Sequence, residues 1–144
     1  MAVGSRNDPF SSFNFLVEID GITRAAFRDC SGLDSSQQAT DYREGGEPLR
    51  MRRIPGLNSY SNISLTRGIT ADRELWEWRQ RAAEGRIERK NGSIILLDEQ
   101  GEEKMRWNFS DAWPTKWTGP TFNAIGNDVA VEVLELVHEG IKRA

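Results

Sequence analysis

The sequence is poor in the residues on which metal and redox chemistry depend. It holds one cysteine, Cys30, and one histidine, His138. A lone cysteine cannot close an internal disulfide, so the chain suits a reducing compartment without depending on one. Zinc and iron sites need several ligands at short spacing, and this pair cannot supply them. No cofactor is therefore expected. A serine triad would have to use His138, and no G-x-S-x-G elbow accompanies it. A structural histidine near a strand end is the better reading. The P-loop and the G-x-G-x-x-G motif are absent too. No apolar run approaches the ~20 residues that span a bilayer. The opening MAVGSRNDPF lacks the apolar core of a secretory signal. Neither sign of charge dominates: 19 Lys and Arg face 22 Asp and Glu, leaving −3, with no general pull toward nucleic acid.

What is present is an ordinary globular composition, 38 % hydrophobic and 28 % charged. At 144 residues the chain fits one domain, 1–144, with a sizeable core and a loose polar segment at 1–9. The chain is organised around Arg106 to Gly140, which carries Trp107, Trp113 and Trp117. From Asp111 to Pro120 rings alternate with turn residues. Pro114 and Pro120 bar a continuous helix there, and Gly119 supplies a corner. After Gly126-Asn127-Asp128 comes the longest apolar segment, Val129 to Val137. Glu132, Glu135 and Glu139 recur at helical spacing, but Val129, Val131 and Val133 alternate. The valines and the preceding turn favour a strand. It is apolar on parts of both faces, so one face covers the subunit's own core and the other needs a second cover, such as another subunit.

Earlier in the chain, Phe13, Phe15, Val17 and Ile19 alternate with polar residues as a half-buried strand. Asp20-Gly21 is a hairpin turn, and Ile22 to Cys30 should return as the partner strand. Gln37 to Arg43 reads as a polar strand. Asn62 to Arg67 reads as another, with Ile63 and Leu65 inward. Thr70 is placed to cap a helix from Ala71 to about Ala83, with Leu75, Trp78 and Ala82 as its stripe, Trp76 on the flank and a Glu77–Arg81 pair. Gly85 ends it. Lys90 to Leu97 is a strand apolar on both faces, turned by Asp98-Glu99-Gln100-Gly101. Glu103 to Phe109 returns with Met105, Trp107 and Phe109 on one face. About seven strands and one helix predict a mainly β, antiparallel sandwich or barrel with one flanking helix.

Arg43 to Tyr60, REGGEPLRMRRIPGLNSY, stands out. Gly45, Gly46, Pro48 and Pro55 break it and no period runs through it, so it reads as an extended loop. Its Arg50, Arg52 and Arg53 form a small basic cluster, offset by Asp41, Glu44 and Glu47. Nucleic-acid binding wants a wider basic face, and both signs together suit contact with another copy of the chain. The predicted subunit-interface residues are Arg43, Glu44, Glu47, Leu49, Arg50, Met51, Arg52, Arg53 and Ile54. The acidic residues around Gly101 lack the alternation of a calcium loop and read as a solvated turn. Three Asn-x-Ser matches, at Asn62, Asn91 and Asn108, read as chance without a secretory signal. The search for catalysis comes back empty, and what remains points to self-association.

The ordered set NFLVEIDG, CSGLD, YREGGEP, RRIPGLNSYSNISLTRGIT, ELWEW, RKNGSIILLDEQG and Arg106 to Gly140 covers nearly the whole chain. It resembles the tail-tube protein family of contractile phage tails and contractile injection systems. The resemblance implies a non-enzymatic structural protein without cofactor. It implies hexameric rings that stack into a hollow tube driven through a target envelope by sheath contraction. The implied partners are the chain itself, a sheath protein, baseplate or spike and tube-terminating proteins, with cargo or DNA as candidate lumen contents. It implies assembly in the bacterial cytoplasm, then a place in a phage virion or an injection particle. A specialised baseplate-proximal ring protein is an alternative. From another class, so is a small β-sandwich module binding carbohydrate or peptide at the tryptophans around Trp113.

Overall fold

The computed structural model describes residues 14–20, 23–25 (backbone only), 27–43, 45, 51–126 and 128–144. Among these, the elements in chain order are β1 (Phe15–Ile19), β2 (Thr23–Ala25), β3 (Asp29–Ser31), β4 (Ser35–Tyr42), β5 (Arg52–Tyr60), β6 (Ile63–Gly68), α1 (Glu74–Ala83), β7 (Lys90–Leu97), β8 (Glu103–Thr118), β9 (Val131–Val137) and β10 (Gly140–Arg143). The expected mainly β, antiparallel architecture with one flanking helix is what forms, without a closed barrel.

Eight strands form one hydrogen-bonded path, β2-β1-β7-β8-β9-β6-β3, with β10 added on β8. The pivot is β8, which runs 16 residues without the expected break. Its first part pairs with β7 and β10, and from Trp113 onward it pairs with β9. Just before the change of partner, which falls between Ala112 and Trp113, Asp111 adopts a positive φ of 52°. There the Asp111 N–H leaves the ladder and donates to Asn91 Oδ1 at 3.0 Å. Pro114 lies within the strand, at a register irregularity where a missing donor is tolerated.

The two halves of the path close on one core. Val17 and Ile19 from β1, Ile94 from β7 and Phe109 from β8 meet Ile63 and Leu65 from β6 and Leu134 and Leu136 from β9. Leu75 and Trp78 of α1 join them, both fully buried. The Trp78 indole N–H donates to the Glu88 carbonyl at 2.9 Å, so its polar end is satisfied. Trp76 stays partly exposed and meets Trp117 edge-on at 4.8 Å.

Several local expectations need correction. The return after β1 is divided: Thr23–Ala25 pairs with β1, but Asp29–Ser31 pairs with β6 in the other half. Phe13, Gly21 and Ile22 lie outside the described residues. The helix begins at Glu74, not Ala71. Thr70 Oγ1 accepts from the Asp72 N–H, and Asp72 Oδ1 accepts from the Glu74 N–H, so a chain of short polar turns takes up the donors first. Glu77 pairs with Arg73 (3.7 Å), while Arg81 turns to Glu88 (3.3 Å). β9 is a strand as expected. Glu132, Leu134 and Leu136 face inward, and Val131, Val133 and Val137 are half-buried. Glu132 is tolerated there because Arg67 Nε donates to it at 2.6 Å and the Trp117 indole N–H at 2.9 Å.

Candidate assembly interface

The region expected to be an extended loop from Arg43 to Tyr60 contains a strand. Arg52–Tyr60 is β5, and it pairs antiparallel with β4 as a separate two-stranded ribbon. The pairing runs from Ser35↔Tyr60 at the base to Tyr42↔Arg52, with one irregularity between Gln37 and Ala39. Pro55 and Gly56, read as breakers, fit because a lone ribbon has an open side on each strand, where a missing N–H costs no ladder bond. Gly56 is needed for the close approach. A Cβ there would sit 3.1 Å from the Gln38 Cβ and 3.2 Å from its carbonyl oxygen.

Cross-strand contacts hold the ribbon. The Ser36 and Ser59 hydroxyls are 2.8 Å apart, Gln37 Nε2 donates to the Gly56 carbonyl at 3.0 Å, and Arg53 Nε lies 3.4 Å from Asp41. At the base, the Ser61 N–H donates to the Asp34 carbonyl at 3.4 Å. Beyond that base, β4 and β5 contact each other far more than anything else. Every residue of β4 is exposed, as is every residue of β5 except Gly56.

Of the predicted interface residues, Arg43 and Met51 flank the ribbon's tip, and Arg52, Arg53 and Ile54 open β5. Glu44, Glu47, Leu49 and Arg50 lie outside the described residues. Pair register places Ile54 and Thr40 on one face with Arg52 and Tyr42, and Arg53 with Asp41 on the other. The ribbon also exposes Tyr42, Leu57 and Tyr60, which lie outside the predicted set. These are large apolar side chains on the same ribbon, with Leu57 77 % exposed and Ile54 44 %. The signal was available in SSQQATDY, an eight-residue strand too polar on both faces to be covered by its own core.

The remaining candidates for chemistry are structural. His138 is buried at the end of β9, its Nε2 2.9 Å from the Ser61 carbonyl and its ring 5.7 Å from that of Tyr60. It therefore anchors the ribbon's base. Burial pushes the Cys30 thiol up to about 11, so it is a poor nucleophile at neutral pH. The backbone N–H of Glu102, and then that of Gln100, hold the Asp98 carboxyl below its usual range, as expected of a hairpin turn. A groove of about 510 Å³ opens on the β1-β7-β8-β10 half, lined by Glu18, Asn91, Ser93, Asn108 and Lys142 among others. Its aromatic lining is Tyr60 and Phe109, while Trp76 and Trp117 line a separate, smaller groove of about 290 Å³ beside α1.

The family of T4-like virus tail tube protein gp19 matches residues 11–142. The chain belongs to this family. Solved structures agree with the assignment. This tail tube protein is similar to a chain in the sheath-tube complex of the extracellular contractile injection system PVC in its extended state. That match has 31 % identity and a TM-score of 0.87, over 96 % of this chain and 93 % of that one. It is similar to a chain in the anti-feeding prophage (AFP) tube-terminating cap at 29 % identity and a TM-score of 0.88, covering 100 % and 99 %. A chain in the AFP baseplate matches at 26 % identity and a TM-score of 0.86, covering 96 % and 97 %. A search of curated proteins by sequence gives no match. The matched family is one of tail tube proteins.

Proposed function

We propose that the whole chain, 1–144, is the subunit of the inner tube of a contractile injection system or contractile phage tail, assembling as stacked six-membered rings. The observation that carries this reading is the β4–β5 ribbon. A two-stranded ribbon exposed on both faces is marginal in water by itself. This one also displays Tyr42, Met51, Ile54, Leu57 and Tyr60 beside the Asp41–Arg53 pair. Its stability and its surface make sense when another subunit covers it. The apolar residues supply the contact, and Arg43, Arg52 and Arg53 fix the register, since charge at such contacts sets orientation more than affinity. Glu44, Glu47, Leu49 and Arg50 belong to the same contact. A ring uses heterologous contacts that close, and stacking repeats a second contact along the axis. The half-buried valine row of β9 is a further surface that a neighbour covers.

In this role the chain is not an enzyme and carries no cofactor. Its partners are its own copies, a surrounding sheath, and baseplate or spike and terminating proteins at the ends, with cargo or DNA as lumen contents. It assembles in the bacterial cytoplasm before joining a virion or injection particle. The test is direct. Ile54→Ser with Leu57→Ser should leave a folded protein with unchanged circular dichroism that no longer forms tubes. Normal tubes from that variant would move the contact to the strand faces.

A further inference from the structure

Of the asparagines in the chain, only Asn91 is followed by glycine. Glycine has no Cβ to shield its nitrogen or restrict its backbone, so that nitrogen can reach the side-chain amide before it. The fold demands both members of this pair. Asn91 lies where the β7–β8 register is irregular, between Lys90↔Ala112 and Gly92↔Phe109. Its Oδ1 accepts the Asp111 N–H at 3.0 Å, and its carbonyl accepts the Asp20 N–H at 3.0 Å. It therefore ties β7 to the strands on both sides. Gly92 is required for a different reason: a Cβ there would fall on the Phe109 ring and on the Glu18 carbonyl oxygen.

The same fold disarms the pair. Attack requires the Gly92 nitrogen to swing onto Asn91 Cγ and close a cyclic imide. In β7 the Asn91 amide is held toward β8 by the Asp111 N–H, and Gly92 is paired with Ile19 on one side and Phe109 on the other. β7 is an inner strand, between β1 and β8. Ring closure therefore waits for that part of the sheet to open, and inner strands open at close to the full cost of unfolding. Asn91 itself is exposed, so access of water is not what limits the reaction.

We propose that Asn91–Gly92 is a site of spontaneous backbone isomerisation that the folded chain suppresses and the unfolded chain undergoes, so that chains left unfolded are marked irreversibly. The Gly92 nitrogen bonds to Asn91 Cγ as the Cγ–Nδ2 bond breaks, and Nδ2 departs as ammonia with the proton lost from Gly92. Water then opens the imide at either carbonyl. One product is aspartate in an ordinary chain. The other is isoaspartate, in which the chain runs through Cγ and the former main-chain carbonyl becomes a free carboxylate. Isoaspartate adds a methylene to the main chain of β7 and displaces both anchors, the carbonyl used by Asp20 and the oxygen used by Asp111. Aspartate keeps an oxygen for the Asp111 N–H and only adds a charge near Asp20 and Glu139, which line the same groove. The chemistry is independent of how copies of the chain assemble.

The experiment ages the purified full chain in mildly alkaline buffer, folded or in urea. Conversion at Asn91 is followed by peptide mass and by labelling with an isoaspartyl methyltransferase. In urea Asn91 should convert, and in the folded protein it should convert about a hundredfold more slowly or less. Equal rates in the two states would overturn the suppression, and an inert Asn91 in urea would overturn the site. Gly92→Ala, compared in urea alone so that its folding does not matter, should slow conversion about tenfold. An unchanged rate there would show that the Gly92 nitrogen is not the attacking group. On removal of urea, isoaspartate should be confined to the chains that fail to refold, whereas Asn91→Asp should refold with a lowered melting temperature. Isoaspartate present in the refolded fraction at its share in the whole sample would overturn the marking. Failure of Asn91→Asp to refold would assign the loss to charge and overturn it as well.

Discussion

The buried pair Arg67–Glu132 offers a stability prediction with a distinctive sign pattern. Both side chains are more than nine-tenths buried, and they meet at 2.6 Å. At that distance the gross Coulomb attraction is about 6 kcal/mol at an effective dielectric of about 20. Desolvation of the two ions offsets most of it, so the intact pair adds little net stability. Removing one partner is different, because the other charge stays buried without compensation, at about 3–5 kcal/mol. Asp72, 3.7 Å from Arg67 Nη1 and partly exposed, supplies some residual compensation. Glu132→Gln should therefore cost about 3 kcal/mol, near the lower end of that range. The glutamine keeps an oxygen for the Trp117 indole, now 2.9 Å from Glu132. Arg67→Met should cost a similar amount by leaving Glu132 unpaired. The double variant removes both charges and should be more stable than either single one. Urea unfolding followed by tryptophan fluorescence, in the Ile54→Ser, Leu57→Ser background, keeps assembly out of the measurement. Additive losses in the double variant, or a single loss under about 1 kcal/mol, would refute the reasoning.

Four further outcomes follow from the core and its edges. Trp78→Ala, at a fully buried ring, should lower stability by about 3–5 kcal/mol, and a loss under about 1 kcal/mol would show that this face of α1 is not core. Gly32→Ala should cost about 2 kcal/mol by thermal melting, because φ is +91° and an added Cβ falls on the Asn62 carbonyl; an unchanged melting temperature contradicts it. Cys30, its thiol pushed up to about 11 by burial, should resist alkylation at pH 8 in the folded protein and react as pH approaches that value. Thiolate forms only as pH rises, so fast labelling at pH 8 would contradict the burial. Cys30→Ala should still assemble.

The elements with a clear period were legible. β1, β6, β7 and β9 each alternate or run apolar over several residues, and α1 shows its Leu75–Trp78 stripe. What misled was chemistry that only three-dimensional context resolves. Pro55 and Gly56 look like breakers until the strand that holds them proves to lie outside the main sheet. The extent of β8 was hidden because Asp111 and Pro114 mark a change of partner, not an end. Which face of β9 turns inward depends on Arg67, a residue 65 positions away that neutralises the buried Glu132. β10 is four residues long, has no period, and forms because the edge of β8 is open to it. In the ribbon, Ile54 and the arginines were visible as part of an unusual two-signed cluster. The exposure of Tyr42 and Tyr60 was not, because it depends on the ribbon standing away from the core.

The central claim is that copies of this chain build a tube through the ribbon. Electron cryomicroscopy of the purified protein at tens of micromolar in mild salt tests it most directly. The account predicts hollow, six-fold tubes in which the β4–β5 ribbon is covered by a second copy. A monodisperse monomer under those conditions, or tubes in which the ribbon faces solvent, would contradict it.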